Sequence, residues 1–503
     1  MKRAPLTLAA AAAALAALTG MAALTAPDGT AATGAAPAAA RRPVERSALV
    51  CPSPSGSDIA ETAYTAVTPA GGARGVGGQG AARLVGATKE QKQVLELKEA
   101  GKPVGATASG AEAPALTGTA DGALAPGWTA QQTTKVSVGQ ARGLLGLACT
   151  PPGTDFWFPG TATSQGRQDY VHLTNADDSP AVVDIELFGP EGRAKTEQGS
   201  GENIRVGPRS SVRVLLSTLT SEQLPDVTTH VTTRSGRVGA SAQVMEDGVG
   251  ADWLPASADP AGSLVLPGIP ADATSVRLIA HAPGEEDADL RIKLAGPGGS
   301  ISPAGSEQLH VKGGMTASLD LKDVTRGEPG SLVLTPADPG KSVPVVAAVR
   351  VVRGTGAKQE LGFVPAAGPV GARATNADNR TDQGATTLSL TAVGTDAKVR
   401  VTASAGTQGG EPASQEYTVK AGTTMAAVPP PVPGGGGKGP YALTVETLSG
   451  GPVHAARTLS LPHEGILFFT VQPLTDDRGT VSVPEASQDL TVLDDDRNRT
   501  GRE

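Results

Sequence analysis

Residues 204–216 read "IRVGPRSSVRVLL", and two later stretches, "LHVKGGMTASLDL" (309–321) and "YTVKAGTTMAAVP" (417–429), align with it without a gap. Apolar residues recur at Ile204, Leu309 and Tyr417, at Val206, Val311 and Val419, and at Val214, Leu319 and Ala427. Gly, Pro, Ser or Thr turns the chain between the two arms. Alternation with period two on both sides of a turn is a strand signal, because successive side chains of a strand point to opposite faces. A unit that returns about every hundred residues sets the architecture of the chain.

Three further blocks recur around it. A short apolar strand ending in proline occurs as "FWFPG" (156–160), "LVLPG" (264–268) and "GFVPA" (362–366). Alternating strand pairs start at Tyr170, Ser275 and Thr387, each with an acidic turn and a Gly-rich exit. "VTTHVTTRSGRVGASAQV" (227–244) is matched by 331–352 and 441–459. Six or seven short strands per unit at 8–12-residue spacing imply two packed antiparallel sheets. The reading is therefore all-β: tandem immunoglobulin-like antiparallel β-sandwich domains, in three repeats at 155–258, 262–361 and 362–493. The likeness is of architecture only, since neither the Cys…Trp…Cys spacing nor the tyrosine corner of antibody domains is present.

A β-rich N-terminal domain at 47–150, closed by a disulfide, precedes the repeats and does not carry them clearly. Within it "TKEQKQVLELKEAG" (88–101) reads either as a helix, capped through Thr88 and Gln91 and stopped at Gly101, or as a strand through "VLELK". The Gly/Ala/Pro-rich stretches 70–82 and 103–127 read as long loops. "PPPVPGGGGKGP" (429–440) reads as an exposed insertion, and 494–503 as a charged tail. The 503 residues hold 65 Gly and 40 Pro with 39% hydrophobic residues, which suits several modest β domains better than one large core.

At the start, Lys2 and Arg3 precede an apolar stretch that runs to about Ala26, which makes 1–40 an export signal, either cleaved or retained as a membrane anchor. In an exported chain the two cysteines, Cys51 and Cys149, read as one disulfide. The net charge of −8 comes without a Lys/Arg stripe, so nucleic acid is not an expected partner. Contact with a membrane is expected only through the N-terminal segment or the basic "RRPVER" (41–46) beside it.

"LVCPSP" near residue 50, "APGWTAQQTT" (125–134), "GLACTPPGTDFWFPG" (146–160) and the "SGRVGA" hairpin together resemble an actinobacterial secreted family catalogued as domain of unknown function 5719. Cys149, Pro152, Asp155, Phe156, Trp157 and Phe158 stand in its most specific block, while Val265 and Phe363 replace the tryptophan in the later units. The resemblance implies export and a β-sandwich array, brings no catalytic residues, and hints at cell-surface glycan biology.

The usual catalytic patterns do not assemble. Gly75-x-Gly77-x-x-Gly80 lacks the flanking strand and helix of a dinucleotide site, and "PGKS" (339–342) falls on a repeat turn with Thr335 where a phosphate loop needs glycine. His172, His230, His281, His310, His454 and His463 are scattered, without an HExxH. His172 and His310 occupy positions that other repeats fill with Arg277, Arg205 or Thr418, which reads as solvent-facing sheet. There is no GxSxG elbow. Asp177, Asp178, Glu285, Glu286, Asp287 and Asp396 share one repeat turn, so turn chemistry is the first reading and calcium at domain junctions the sharper one.

No catalytic residue, metal or cofactor is expected. The function expected from the sequence is a non-enzymatic cell-envelope scaffold or partner-binding array, with an envelope protein or glycan as partner. The alternative is carbohydrate binding or glycan processing, with Trp157, Trp128 and Trp253 as ligand-facing aromatics. Against the repeat, however, "FWFPG" reads as a core strand at a domain joint, with Trp157 on the face opposite Phe156 and Phe158.

Overall fold

Alternation is seen most plainly in "AVVDIELFG", residues Ala181–Gly189, where every second side chain is buried, and again in Ala288–Gly296. Such strands have one face made for a core, and pairs of sheets bury it. The computed structural model describes residues 40–71, 80–196, 199–428 and 430–483. The export signal before residue 40, Gly75 and Gly77, and the tail 494–503 lie outside the described residues.

Thirty-four strands and three short 3-10 turns make up the described chain. β1 (Ala40–Pro43) and β34 (Thr480–Val483) flank four sandwiches. The N-terminal sandwich holds β2 (Arg46–Cys51), β3 (Glu61–Val67), β4 (Ala82–Gly86), β5 (Gln93–Leu97), β6 (Val104–Ser109), β7 (Leu116–Asp121), β8 (Thr129–Val136) and β9 (Gly143–Ala148). The first repeat holds β10 (Asp155–Thr161), β11 (Arg167–Asn175), β12 (Ala181–Gly189), β13 (Gly192–Arg193), β14 (Ile204–Val206), β15 (Ser210–Leu215), β16 (Val227–Ser235), β17 (Gly239–Glu246) and β18 (Gly250–Leu254). The second holds β19 (Leu264–Ile269), β20 (Ala273–His281), β21 (Ala288–Gly296), β22 (Gly299–Ile301), β23 (Gln308–Val311), β24 (Thr316–Lys322), β25 (Gly330–Pro336), β26 (Val346–Arg353) and β27 (Glu360–Pro365). The third holds β28 (Arg373–Asn379), β29 (Thr386–Gly406), β30 (Ala413–Val419), β31 (Thr423–Ala427), β32 (Tyr441–His463) and β33 (Ile466–Leu474).

One strand order serves all four. The N-terminal sandwich has sheets β2-β7-β4-β5 and β6-β3-β8-β9, the first repeat β10-β16-β12-β13 and β15-β11-β17-β18, and the second β19-β25-β21-β22 and β24-β20-β26-β27. In the third repeat β29 and β32 are long enough to run through both sheets, and their halves take the places of four strands. Every strand pairing within the sandwiches is antiparallel. The first strand of each sandwich is not paired with the second: β2 lies beside β7, β10 beside β16, β19 beside β25 and β28 beside β32, whereas the antibody order sets the first beside the second. Each sandwich has its own apolar core, drawn from both of its sheets.

Several expectations need correction. The N-terminal segment carries the same sandwich as the repeats, and "TKEQKQVLELKEAG" resolves as strand β5 with a turn before it. "GFVPA" does not open the third repeat: it ends β27, which pairs with β26 and so closes the second. The true counterpart of "FWFPG" and "LVLPG" there is β28. The paired arms 204–216 and 227–244 are arches between sheets, because β14 pairs β12 while β15 pairs β11, and β16 and β17 lie in different sheets. In the Pro-rich insertion Pro430, Pro431 and Pro433 are buried, and only residues such as Val432, Gly435 and Lys438 face solvent.

Within Pro43–Val481, which forms one compact unit, the sandwiches close into a ring. The last strand of each packs against the last strand of the next, β9 on β18, β18 on β27, β27 on β33 and β33 on β9. At each joint the first strand of one sandwich lies across a strand of the next: β2 on β17, β10 on β26, β19 on β32 and β28 on β8. The backbone N–H of Val44 donates to the carbonyl of Gly479, which ties the two ends of this unit together.

Candidate functional site

Gly146 on β9, Asp252 on β18, Gly362 on β27 and Thr470 on β33 meet at the ring centre. A Cβ at Gly146 would stand 2.4 Å from Thr470 Cγ2, and one at Gly143 would stand 2.3 Å from the Ala251 carbonyl oxygen. Glycine is required at both for the strands to approach.

Two carboxyl groups lie in this packing, both fully buried. Asp252 Oδ1 accepts from the N–H of Gly146 (3.1 Å), the N–H of Trp253 (2.8 Å) and the Thr470 hydroxyl (3.2 Å). Glu360 Oε1 accepts only a long bond from the Leu144 N–H, 3.4 Å. Asp252 Oδ2 and Glu360 Oε2 have no partner. The nearby Arg142 guanidinium is taken by the carbonyls of Val249 (2.5 Å), Gln359 (2.6 Å) and Ala357 (3.3 Å), which tie three sandwiches together. Burial pushes Glu360 up to about 9, with the Arg142 charge opposing and the Asp252 carboxyl adding to the shift. Burial also holds Asp252 well above the usual carboxylate range, over the opposing pull of its donors. Burial thus favours the protonated form of Glu360 at neutral pH within the packing of the central strands.

The joint between the first and second repeats is aromatic and ionic. Trp157 stacks on His230 with ring centroids 3.5 Å apart, and His281 lies on it at 5.4 Å. Thr316 donates to the Phe188 carbonyl at 2.7 Å, with the Thr228 hydroxyl 3.0 Å from the same oxygen. Arg277 clasps Asp226 and Arg350 clasps Glu246, at 2.5 and 2.6 Å. The closing joint, between the third repeat and the N-terminal sandwich, is polar. Thr133 donates to Asp378 Oδ2 at 2.5 Å, the Asp378 N–H donates to Gln131 at 2.8 Å, and Arg380 pairs with Asp378. Close by, the fully buried Arg457 donates to Gln472 (2.6 Å) and Asn376 (3.3 Å), and burial lowers it to about 10.

The disulfide expected from Cys51 and Cys149 is formed, joining β2 to the residue after β9. The three tryptophans expected as ligand-facing are buried: Trp128, Trp157 and Trp253 are 3%, 8% and 1% exposed. Trp128 fills the N-terminal core, Trp253 packs with Val136, Leu145 and Leu147 of that sandwich, and Trp157 sits in the joint just described. His172 is also a correction, since it is buried against Trp253 and bonded to Gln243, and burial lowers it to about 4. His310 is exposed as expected. The acidic turns serve the fold: Asp177 pairs with Arg237, Asp178 with Arg209, and Asp396 accepts from the Ala421 N–H. "PGKS" is a turn in which Asp338 accepts from the Gly340 N–H.

Asp252, Glu360, Asp378 and Arg457 were not singled out from the sequence. A signal was available in "GADWLP", where one acid interrupts an apolar strand. Grooves remain open at three joints. One of about 580 Å³ lies between the second and third repeats, one of about 470 Å³ beside the closing joint, and one of about 360 Å³ beside the Arg277–Asp226 pair. No group of three or more His, Cys, Asp or Glu that could hold a metal occurs among the described residues. No helix of the described residues is long and apolar enough to cross a membrane. The disulfide places the chain outside the reducing cytoplasm.

A family model described as "Family of unknown function (DUF5719)" matches residues 104–431, more than half of the chain. No curated protein matches it.

Proposed function

We propose, from the premise that the chain belongs to the DUF5719 family of unknown function, that it is an exported, non-enzymatic structural or partner-binding protein of the cell envelope. One observation carries this reading: the clustered ionisable groups are spent on holding four sandwiches in a ring, while grooves between the sandwiches stay open. An enzyme needs titratable groups converging on a cleft. Here Asp252 and Glu360 lie in packed strands, and the Arg277–Asp226 and Arg350–Glu246 pairs join neighbouring sandwiches. The glycan-binding alternative loses its aromatic platform with the burial of Trp128, Trp157 and Trp253. A closed ring whose N-terminal sandwich is stapled by a disulfide suits presentation of several faces at once.

Crosslinking on intact cells, followed by recovery of the protein and identification of what is joined to it, tests the proposal. A reproducible envelope partner is the expected result, and the absence of any would overturn it. Mass spectrometry of the mature N-terminus decides between a cleaved signal and an anchor.

A further inference from the structure

The four joints are built alike, so each shows what the others could hold. Between the first and second repeats, the outer face of the β20 and β26 strands presents Arg277 and Arg350, which reach across to Asp226 and Glu246. Between the second and third repeats the corresponding strands present Ser389 and Ala456, which pair with each other across β29 and β32. Pro329 stands where Asp226 stood. The large side chains are gone: Ala456 is packed against the second repeat, and Ser389 lines a groove of about 580 Å³ beside it.

Its lining is specific. Ile269, Pro270, Pro329, Leu461, Leu467 and Val428 form apolar walls, with Leu467 41% and Val428 56% exposed at the rim. No aromatic ring lines it, so the stacking surface on which a sugar ring packs is missing. Arg353 is neutralised by Asp272 at 2.7 Å and also held by Ser460 at 3.0 Å. Asp382 is exposed and has no ion-pair partner among the described residues, which leaves the groove with one net negative charge. Hydroxyls of Thr387, Thr458 and Ser460 offer bonds to a backbone.

We propose that this groove docks an extended polypeptide segment of a partner, presenting an aliphatic side chain beside an arginine or lysine. The cation meets Asp382, as Arg277 meets Asp226 one joint away, and the aliphatic group covers Leu467 and Val428. This rests on the partner-binding reading above and specifies its site.

The test uses the full exported chain with its disulfide intact. The probes are a fluorescein-labelled Gly-Arg-Val-Leu-Val-Gly peptide, the same peptide with Glu for Arg, and a linear β-linked hexasaccharide. Saturable binding of the first peptide is expected, weakened about tenfold in the double variant Val428→Ser/Leu467→Ser by loss of apolar contact. Asp382→Asn should erase the preference for the Arg over the Glu peptide. All three positions are solvent-exposed, and an unchanged melting temperature confirms that the variants fold. Absence of saturable peptide binding, binding unaltered in both variants, or saturation by the saccharide alone overturns the proposal. If crosslinking in cells recovers the same partner from the double variant as from the wild type, the groove fails while the scaffold reading stands. If neither recovers a partner, the scaffold reading itself fails.

Discussion

The N-terminal sandwich takes part in two joints of the same geometry and opposite chemistry. Against the first repeat it presents Ala60, Val136, Leu145 and Leu147, which enclose Trp253 and Ala251 in an apolar cluster. Against the third repeat it presents Gln131 and Thr133, which engage Asp378 through buried hydrogen bonds. The chain runs directly from β9 into β10 across the first joint, whereas the second brings together segments more than two hundred residues apart. Apolar contact is non-directional and tolerates sliding; a buried polar network is satisfied in one register only. Closure of the ring is specified by the polar groups around Asp378, while the consecutive joint adds the apolar cluster around Trp253 to its Gly146–Asp252 and Arg142–Val249 bonds. Around the closing network the small apolar cluster of Val67, Ala377 and Ala442 supplies burial without register.

The apolar joint breaks most severely by truncation. Trp253→Ala leaves a cavity where a fully buried indole stood, and its cost should be about 3–5 kcal/mol. Denaturant titration followed by two probes, one on each sandwich, should show the loss in the whole transition. A cost below about 1 kcal/mol would mean that the joint collapses around the gap and does not depend on that ring.

At the polar joint, Asp378→Ala should cost about 3 kcal/mol, because it strands the Arg380 guanidinium and the Thr133 hydroxyl in a buried site. Its signature differs from that of the tryptophan: amide hydrogen exchange should quicken first in β28 and β8, ahead of the sandwich cores. Thr133→Val keeps the volume and removes one hydrogen bond to a charged group, for about 2 kcal/mol. Uniform exchange throughout the chain in either variant would remove the distinction between the joints.

Period-two alternation made the all-β repeat legible, because "VVDIELF" and "DLRIKLA" can bury one face only as strands. It could not tell whether the outer face of a sheet is wet. Trp157, His172 and Trp253 all lie on faces that a neighbouring sandwich covers, and alternation gives the face without giving the neighbour. The N-terminal sandwich is not legible as a further copy of the repeat for a related reason. β4 and β5 are short, and the loops around them break the spacing that marks the repeats, although the strand order is the same. Ring closure depends on contacts between residues such as Thr133 and Asp378, for which linear sequence carries no periodic signal.

The finest effect is a slope with pH, and it separates the ring centre from the joints. Glu360 is held near 9 against an ordinary 4.5, so the folded state binds its proton more tightly than the unfolded chain does. The stability this represents is whole below about pH 4.5 and is lost as pH rises to about 9, at up to ~1.4 kcal/mol per pH unit. Asp252, raised by the same burial, adds to that alkaline limb. His172 and His281 act in the opposite sense: burial lowers both to about 4, so their share of stability is present above about pH 6.5 and is lost as pH falls toward 4. Between about pH 4.5 and 6.5 the two histidines and the two buried carboxyls oppose each other, and above that range the carboxyls act alone, so these groups make stability decline on the alkaline side. Glu360→Gln keeps the shape and removes the titration; its melting temperature, followed from pH 5 to 9, should lose much of the alkaline decline and keep the acid one. An alkaline limb as steep as that of the wild type would show that the proton at the ring centre resides on Asp252, whose three donors would then have failed to make it the stronger acid.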